Sequence, residues 1–303
     1  MKILLTGANG LLGQKLVALL HQAPGVALVA TARGANRLAT SYPDLHFVLL
    51  DVTDATQVQQ VLAQQRPTHV IHTAAMTQVD DCELNKDDCW TQNVTAVAHL
   101  AAACARLDVH LTHLSTDFIF NGTEALLSED AVPDPISHYG ASKLAAEQVV
   151  QGTASLRWAI ARTVLVYGTA LAGGRSNLVL WVYNSLRKQQ RIKVVDDQWR
   201  TPTLAEDLAQ GCWLLARQSA QGIFHLSGRE LLTPYQMAQR VATTFQLDAA
   251  LLERVDAQVF AQPARRPPRT GFRIDKAVRE LGYQPHSFAD GLALVQQQLA
   301  SLG

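Results

Sequence analysis

The chain of 303 residues is long enough for one large domain or two modest ones, and either size can bury a hydrophobic core. Hydrophobic residues make up 48% of the sequence and charged residues 17%, a composition typical of globular chains rather than disordered ones. Lysine plus arginine equals aspartate plus glutamate at 26 each, so the overall charge gives no sign of a nucleic acid or an anionic membrane as partner. We expect neither.

The amino terminus and the cysteines both indicate a cytoplasmic protein. The apolar run in MKILLTGANG is too short for a signal peptide, and no later stretch reaches the roughly 18 apolar residues of a membrane helix. Without CxxC spacing, the cysteines are interpreted as reduced, buried thiols: Cys82, Cys89, Cys104 and Cys212. No cluster of His, Cys and carboxylate residues has ligand spacing, so the sequence predicts no metal site.

In the first half of the chain, short apolar runs alternate with helical patterns. The predicted strands are 2–6, 26–32, 47–50, 69–74, 109–115 and 158–166. The predicted helices are 11–21, 55–65, 94–107 and 137–152. Strands that alternate with helices predict an α/β fold, a Rossmann-like doubly wound parallel sheet with helices on both faces.

The alternation loosens in the second half of the chain. Helical patterns cover 178–190, 233–245 and 288–302, and a loop rich in proline and arginine covers 265–270. We therefore predict a first domain over 1–165 and a smaller, mixed α/β domain over 166–303 that lies on the carboxyl edge of the sheet. The chain is expected to return to the first domain near 205–228.

A glycine-rich turn joins the first predicted strand to the first predicted helix. Its pattern is GxxGxxG, and glycines there let the backbone approach a pyrophosphate while the helix N-terminus supplies amide donors. A tight strand-to-helix turn without a ligand is the alternative. The predicted dinucleotide contacts in this turn are Gly7, Asn9, Gly10, Leu11, Leu12 and Gly13.

The residues after the second strand favour NADP(H) over NAD(H). An acidic residue at this place binds a ribose 2′-hydroxyl, but this chain has Arg33 and Arg37, whose guanidinium groups suit a 2′-phosphate. A pair of solvated surface arginines is the alternative. Asp51 and Val52, after the third strand, are predicted on the adenine side, although Asp51 is equally suited to cap the helix that starts near residue 55.

Tyr139 and Lys143 form a YxxxK pattern at the start of a predicted helix. Residues four apart share one helix face, and a nearby ammonium is expected to lower the pKa of a phenol from about 10, which suits general acid–base catalysis. Thr116 ends the fifth predicted strand, where its hydroxyl can hold a substrate carbonyl. Together the three residues predict hydride transfer to or from a carbonyl.

Motifs along nearly the whole chain resemble those of the extended short-chain dehydrogenases/reductases, and most of all the dTDP-4-dehydrorhamnose reductases among them. That subgroup reduces a 4-keto nucleotide sugar with NADPH. The matching segments are GANGLLGQ (7–14), TAAMTQVDDCE (73–83), STDFIFNG (115–122), YGASKLAAE (139–147), RTVLVYG (162–168), VVDDQWRTPT (194–203), GIFHLSG (222–228) and the pair Arg266-Pro267.

The resemblance implies a role for each matching residue. Tyr139 protonates the developing alkoxide, Lys143 holds the nicotinamide ribose and tunes Tyr139, Thr116 hydrogen-bonds the sugar carbonyl, and Asn93 supports the cofactor side of the site. Further implied contacts are Ala74 and Ala75 with the cofactor, and Asp117, Asn177, Gln198 and Arg266 with the substrate. Arg266 is expected to meet the diphosphate, with a rigid surface turn as the alternative. Residues 1–165 are then the NADP-binding domain and residues 166–303 the substrate-binding domain.

This chain departs from the subgroup at three places. Phe118 replaces a tyrosine, Leu165 replaces a tryptophan that lies near the sugar in the subgroup, and Pro-Arg-Thr-Gly at 268–271 replaces a segment with a polar Asn-Ser pair. These changes leave open an extended reductase that acts on another carbonyl substrate. An epimerase or dehydratase is disfavoured because most of these enzymes retain NAD, whereas Arg33 and Arg37 favour NADP.

A non-catalytic, NADP-binding regulatory subunit is the alternative from another functional class, because relatives of these reductases serve as such subunits. The complete set of Tyr139, Lys143 and Thr116 argues for catalysis. Members of the family are often dimers, so a homodimer is among the expected assemblies.

Overall fold

The computed structural model describes residues 1–174 and 176–302; Arg175 and the last residue of the predicted second domain, Gly303, lie outside the described residues. The strands are β1 (Lys2–Thr6), β2 (Ala27–Ala32), β3 (Phe47–Leu49), β4 (His69–His72), β5 (His110–Thr116), β6 (Trp158–Thr163), β7 (Val166–Tyr167), β8 (Ile192–Val195), β9 (Trp199–Arg200), β10 (Thr203–Leu204), β11 (Gly222–His225), β12 (Leu252–Val255) and β13 (Arg269–Thr270). The α-helices are α1 (Leu11–Leu20), α2 (Ala55–Gln65), α3 (Val79–Leu84), α4 (Lys86–Trp90), α5 (Ala96–Arg106), α6 (His138–Gly152), α7 (Leu178–Arg187), α8 (Ala205–Arg217), α9 (Pro234–Thr244), α10 (Asp275–Leu281) and α11 (Phe288–Leu302).

A seven-stranded parallel sheet forms the centre of the molecule, in the order β11, β6, β5, β4, β1, β2, β3. Leu16 and Leu208 on α1 and α8 help to bury one face, while Leu62, Leu100 and Val150 on α2, α5 and α6 help to bury the other. Strands β1 and β2 are largely apolar because both faces of the sheet are covered, whereas β4 and β5 also carry buried histidines. The sheet confirms the predicted doubly wound α/β fold.

The sixth predicted strand, 158–166, is shorter in the structure than in the prediction. Strand β6 ends at Thr163, and Leu165 adopts a φ of 37°, which interrupts the extended backbone. The chain then forms β7, which pairs with β10 and not with the main sheet. This break turns the backbone at the carboxyl edge of the sheet, beside the end of β5.

Helix α8 was not predicted from the sequence, although Glu206 and Asp207 in its first turn are typical of a helix start. Gly211 in its middle weakens the helical pattern. A Cβ at Gly211 would stand 2.7 Å from the side chain of Leu226, so this glycine lets the helix lie close to the sheet.

A third apolar cluster lies outside the sheet and joins α7, α9 and α11 with β8 and β12, through residues such as Val182, Val241 and Leu292. None of the helices described over 1–174 and 176–302 is long and apolar enough to cross a membrane.

Lys15 joins the first helix to the second half of the chain. Its buried ammonium lies 2.7 Å from Glu206 Oε1, and it donates to Gln298 Oε1 at 3.3 Å and to Thr169 Oγ1 at 3.5 Å. These partners come from α8, from α11 and from the segment after β7, so one buried charge connects helices that are distant in sequence.

Gly13 packs the first turn of α1 directly on the glycine-rich loop. A Cβ built on Gly13 would stand 2.2 Å from the carbonyl oxygen of Gly7 and 2.7 Å from Cα of Ala8. Both neighbours are backbone atoms, so a side chain at this position cannot be accommodated by a rotamer change. The spacing of the glycine pattern therefore reflects helix-to-loop contact.

We expect Gly13→Ala to lower the free energy of unfolding by about 1–3 kcal/mol, because the added methyl group must displace the loop. The gain in helix propensity, about 1 kcal/mol, acts in the opposite direction and is smaller than a backbone clash. Gly34→Ala is the matched control, since its Cβ would meet no atom of the described residues within 4 Å. Urea unfolding measures both variants, and equal stabilities would contradict the packing argument.

Candidate active site

A cleft of about 240 Å³ opens where β1, β2, β3 and β4 end. This is the carboxyl edge of the parallel sheet, where folds of this type bind their ligands. The residues that line the cleft are Gly7, Asn9, Gly10, Ala32, Arg33, Leu50, Asp51, Val52, Thr53, Thr73, Ala74, Ala75 and Gln92. Most of the predicted cofactor contacts therefore line the same cleft.

Gly7 brings the end of β1 close to the segment that follows β4. Its φ is 73°, and an added Cβ would stand 2.8 Å from the backbone nitrogen of Ala74. The Thr73 hydroxyl donates to the Thr6 carbonyl at 2.7 Å and holds this approach in place. The floor of the cleft is thus backbone that only glycine permits.

Asn9 braces the segment that carries the two predicted arginines. Its Nδ2 donates to the Ala35 carbonyl at 2.9 Å, and its Oδ1 accepts from the Arg37 backbone N–H at 3.1 Å. Arg33 lines the cleft, whereas the Arg37 side chain lies beside Gly173, in the segment after β7. The structure therefore places the Arg33 guanidinium in the cleft and the Arg37 guanidinium outside it, against the segment after β7.

Asp51 lines the cleft and does not cap α2. Asp54 caps that helix by accepting from the backbone N–H groups of Thr56 and Gln57, which corrects the alternative role considered for Asp51. Burial opposes the ionisation of Asp51, but hydrogen bonds from Thr53 and the charge of Arg33 lower its pKa overall. An anionic acceptor thus stands beside Arg33, on the side of the cleft away from the glycine loop.

Two other predicted cofactor contacts lie around the glycine loop rather than in the cleft. Leu11 borders a separate opening together with Gly168, Ala170 and Gly174, and Leu12 is partly buried against the core. Gln14 Oε1 accepts from the Leu171 and Ala172 backbone N–H groups at 2.8 and 3.1 Å. The segment after β7 is therefore fastened to the start of α1.

Tyr139 and Thr116 come together at the end of β5. Ser137 caps α6 by accepting from the Gly140 N–H at 3.2 Å, and this sets Tyr139 in the first turn of the helix. Burial raises the pKa of Tyr139, and the charge of Asp117 raises it further, although the hydroxyl of Thr116 acts in the opposite direction. The phenol is therefore protonated at neutral pH.

Lys143 lies one turn further along α6 and is also buried. Burial lowers its pKa to about 8, against the opposing charge of Glu147. Its ammonium donates to the Leu114 carbonyl at 2.6 Å and lies 3.5 Å from His113 Nε2. Burial is the largest influence on the pKa of Tyr139, and the Lys143 ammonium faces Leu114, so the lowering of that pKa by Lys143 stays a prediction.

Two histidines lie beneath Lys143 in adjacent positions of β4 and β5. His72 and His113 are register partners whose rings stack at 5.5 Å, and His72 Nδ1 shares a 2.7 Å hydrogen bond with the Thr6 hydroxyl. Burial lowers the pKa of His72 to about 3 and the pKa of His113 well below its usual value, so both rings are neutral. Among residues 1–174 and 176–302, no group of three or more His, Cys, Asp or Glu side chains is arranged to hold a metal ion.

Asn93 lies in a π-helical turn, Thr91–Thr95, that precedes α5, whereas the predicted helix began only at residue 94. Its side chain binds both backbone groups of Met76, accepting from the N–H at 2.8 Å and donating to the carbonyl at 3.0 Å. It also donates to Ser142 Oγ at 3.1 Å. Asn93 thereby fastens the segment after β4, which lines the cleft, to the helix that carries Tyr139.

Two predicted substrate contacts already use their polar groups within the protein. Asn177 caps α7 by accepting from the Leu180 N–H at 3.2 Å, and it donates to the Gly168 carbonyl at 2.8 Å. Arg266 forms an ion pair with Asp80 at 2.7 Å. Both residues shape the surroundings of the site in this structure.

The other two predicted substrate contacts, Asp117 and Gln198, belong to a buried polar cluster at the end of β5. Asp117 accepts from the hydroxyls of Thr116, at 3.1 Å, and Thr270. Gln198 Oε1 accepts from Arg200, and Arg200 lies 4.0 Å from Asp117. Sequence reasoning missed Arg200 and Thr270, because nothing in their local pattern distinguishes a buried arginine or threonine from an exposed one.

Comparison with known proteins identifies the family of the chain. A family model described as the RmlD substrate binding domain matches residues 1–301. A dTDP-4-keto-6-deoxy-D-glucose reductase of Streptomyces niveus is 33% identical over 285 residues, which cover 93% of this chain and 91% of that protein. The beta subunit of methionine adenosyltransferase 2 of Bos taurus is 29% identical over 260 residues, which cover 84% of this chain and 75% of that protein.

A solved structure of similar shape is the dTDP-4-dehydrorhamnose reductase of Bacillus anthracis in complex with NADP. It superposes with a TM-score of 0.83 at 28% identity and covers 98% of this chain and 99% of that chain. These findings confirm the family resemblance indicated by the sequence motifs. Because the family model spans almost the entire sequence, this chain belongs to the RmlD family within the extended short-chain dehydrogenases/reductases.

Proposed function

We propose that this protein is an NADPH-dependent reductase of a 4-keto nucleotide sugar, with Tyr139 as the general acid. The observation that carries the proposal is the meeting of Tyr139 and Thr116 at the end of β5, beside a cleft suited to a dinucleotide. The similarity to nucleotide-sugar reductases supports the substrate class.

The residues that line the cleft suit the pyrophosphate and the adenosine 2′-phosphate of NADPH. Gly10 is the residue before α1, so a pyrophosphate in the cleft can face the backbone N–H groups of the first turn of that helix. Asp51 and Val52 would hold the adenine, and Arg33 would pair with the 2′-phosphate. The bound nicotinamide supplies the hydride.

The residues around the reacting carbon would donate the proton, bind the carbonyl oxygen and contact the nicotinamide ribose. Hydride addition to a carbonyl carbon leaves a negative oxygen, and Tyr139, whose raised pKa keeps it protonated, donates a proton to that oxygen. Thr116 would hold the same oxygen beside the phenol. Lys143, held by the Leu114 carbonyl, would contact the nicotinamide ribose and keep a positive charge near the developing alkoxide.

The substrate-binding part of the proposal rests on the second half of the chain. Leu165 is 36% exposed at the end of β6, next to the strand that carries Thr116, so its side chain is available to a sugar ring. An apolar side chain there offers contact area without a hydrogen bond.

A non-catalytic, NADP-binding regulatory subunit is the second candidate, and the similarity to the bovine methionine adenosyltransferase subunit favours it. The two candidates share the cleft and differ in whether Tyr139, Thr116 and Lys143 perform chemistry. Turnover of NADPH separates them directly.

Arg33→Ala is expected to raise the dissociation constant for NADPH by about 10–100-fold, because a charge-assisted hydrogen bond to the 2′-phosphate is lost. The affinity for NADH is expected to stay within about threefold, since NADH has no 2′-phosphate to lose contact with. Arg106→Ala, an exposed arginine at the end of α5, is the matched control. Titration of nicotinamide fluorescence gives both constants, and an unchanged preference for NADPH would place the 2′-phosphate elsewhere.

Purified protein is expected to oxidise NADPH when a dTDP-4-keto-6-deoxy sugar is added, followed by absorbance of the reduced nicotinamide. Tyr139→Phe should lower kcat by about 10²–10⁴-fold, as expected for loss of a general acid, while NADPH binding is retained. Tyr42→Phe is the control, because Tyr42 packs on His21 and does not line the cleft. Absence of turnover by the wild type with every 4-keto sugar nucleotide, with NADPH bound, would favour the regulatory subunit.

A further inference from the structure

The two carboxylate oxygens of Asp117 face different parts of the molecule. Oδ1 accepts from the hydroxyl of Thr116, the residue proposed to hold the substrate carbonyl, at 3.1 Å. Oδ2 accepts from the hydroxyl of Thr270 in β13, within the segment that follows Arg266. The carboxylate is buried, so it is fixed by these contacts and not by water.

Arg200 is the cation that accompanies this carboxylate. Four of the contacts of its guanidinium are short enough to be hydrogen bonds: Nη1 donates to the carbonyls of Trp199 at 2.7 Å and Pro268 at 3.2 Å, and Nη2 donates to the Pro267 carbonyl at 2.8 Å and to Gln198 Oε1 at 3.3 Å. The remaining donor, Nε, lies 4.0 Å from Asp117 Oδ2. The guanidinium also lies 5.8 Å from the centre of the Phe118 ring.

We infer that Arg200 is a positioning residue for Thr116 and acts on it through Asp117. One guanidinium donates to the backbone at 267 and 268 and forms a 4.0 Å ion pair with the carboxylate that accepts from Thr116. The segment around β13 and the hydroxyl beside Tyr139 are therefore set in place together. This inference rests on the proposed function, in which Thr116 holds the substrate oxygen.

A neutral hydrogen-bond donor would be enough to bind the carbonyls of this loop, so these hydrogen bonds do not explain why a charged residue is buried here. Burial of a guanidinium is costly unless an anion accompanies it, and Asp117 is that anion. Conversely, burial raises the pKa of Asp117, and Arg200, Thr270 and Thr116 oppose that rise. Only the ionised carboxylate can accept from both hydroxyls with both oxygens.

The direction of the pH effect follows from these neighbours. The groups that face Asp117 are Thr116 on its own strand end, Arg200 from β9, Thr270 from β13 and Tyr139 from α6. Loss of the Arg200 charge raises the pKa of Asp117 further, so protonation begins at higher pH. The acid limb of the kcat profile should then move to higher pH.

Arg200→Met is the first test, because it removes the charge and keeps most of the side-chain volume. We expect kcat to fall by about 10–100-fold, the loss of one charge-assisted contact, with the acid limb shifted to higher pH. The dissociation constant for NADPH should change by less than about twofold, because the cleft is a separate site. A fall in kcat without any shift of the acid limb would mean a merely structural role and would overturn the inference.

Thr270→Val provides a milder variant that keeps the test open if Arg200→Met does not fold. It removes one hydrogen bond to Asp117 with nearly the same shape, so kcat should fall by about 3–10-fold. Thr270→Ser restores the hydroxyl and should restore kcat. Failure of the serine variant to do better than the valine variant would overturn the inference.

Asp117→Asn combined with Arg200→Met tests whether the arginine acts through the carboxylate. If it does, the double variant is no slower than the slower single variant, because the second change removes a contact already lost. Multiplied losses would show that Arg200 acts independently of Asp117.

Hydrogen exchange of the protein without substrate separates this inference from the proposed function. The Phe118 backbone N–H donates to Thr116 Oγ1 at 3.3 Å, so its exchange reports the Thr116 rotamer. Arg200→Met and Thr270→Val should both speed exchange at 116–120 as well as at 267–272. Faster exchange at 267–272 alone would overturn the inference, whereas a wild type without turnover would overturn only the proposed function.

Discussion

The polar groups at the carboxyl edge of the sheet are buried, and the site depends on each charged group there having a partner. Lys143 has the Leu114 carbonyl, and Asp117 has two hydroxyls and Arg200. Burial of an unpaired charge in a medium of low dielectric constant costs free energy, so these groups cannot move away from their partners without destabilising the protein. The chemistry of the site therefore follows from how strands β5, β9 and β13 are brought together.

Burial also explains the acid–base state of the site. A phenol and an ammonium that share one helix face suggest a phenolate, but in this structure the ammonium of Lys143 faces a strand carbonyl and the phenol of Tyr139 stays protonated. The neutral imidazoles of His72 and His113 beneath them add no charge. The proposed proton donor, Tyr139, is therefore a neutral phenol in this structure.

Local patterns in the sequence were enough to predict the parallel sheet, the glycine loop and the residues that meet at the end of β5. Apolar runs, glycine spacing and the YxxxK pattern each span only a few residues, so they can be recognised in a single sequence. The partners of Asp117 could not be predicted, because Arg200 and Thr270 lie 83 and 153 residues away and reach it only through tertiary packing. Helix α8 was missed because Gly211, needed for its close contact with Leu226, weakens the local pattern.

Lys15 has a consequence for how the protein is made on the ribosome. The helix that carries the glycine loop is synthesised early, yet the ammonium in its buried face has partners at Glu206 and Gln298, which emerge much later. Until they arrive, the amino-terminal half holds a charge that cannot be buried without cost. The dinucleotide cleft is therefore expected to reach its final form only after translation of α11, although its own residues belong to the first third of the chain.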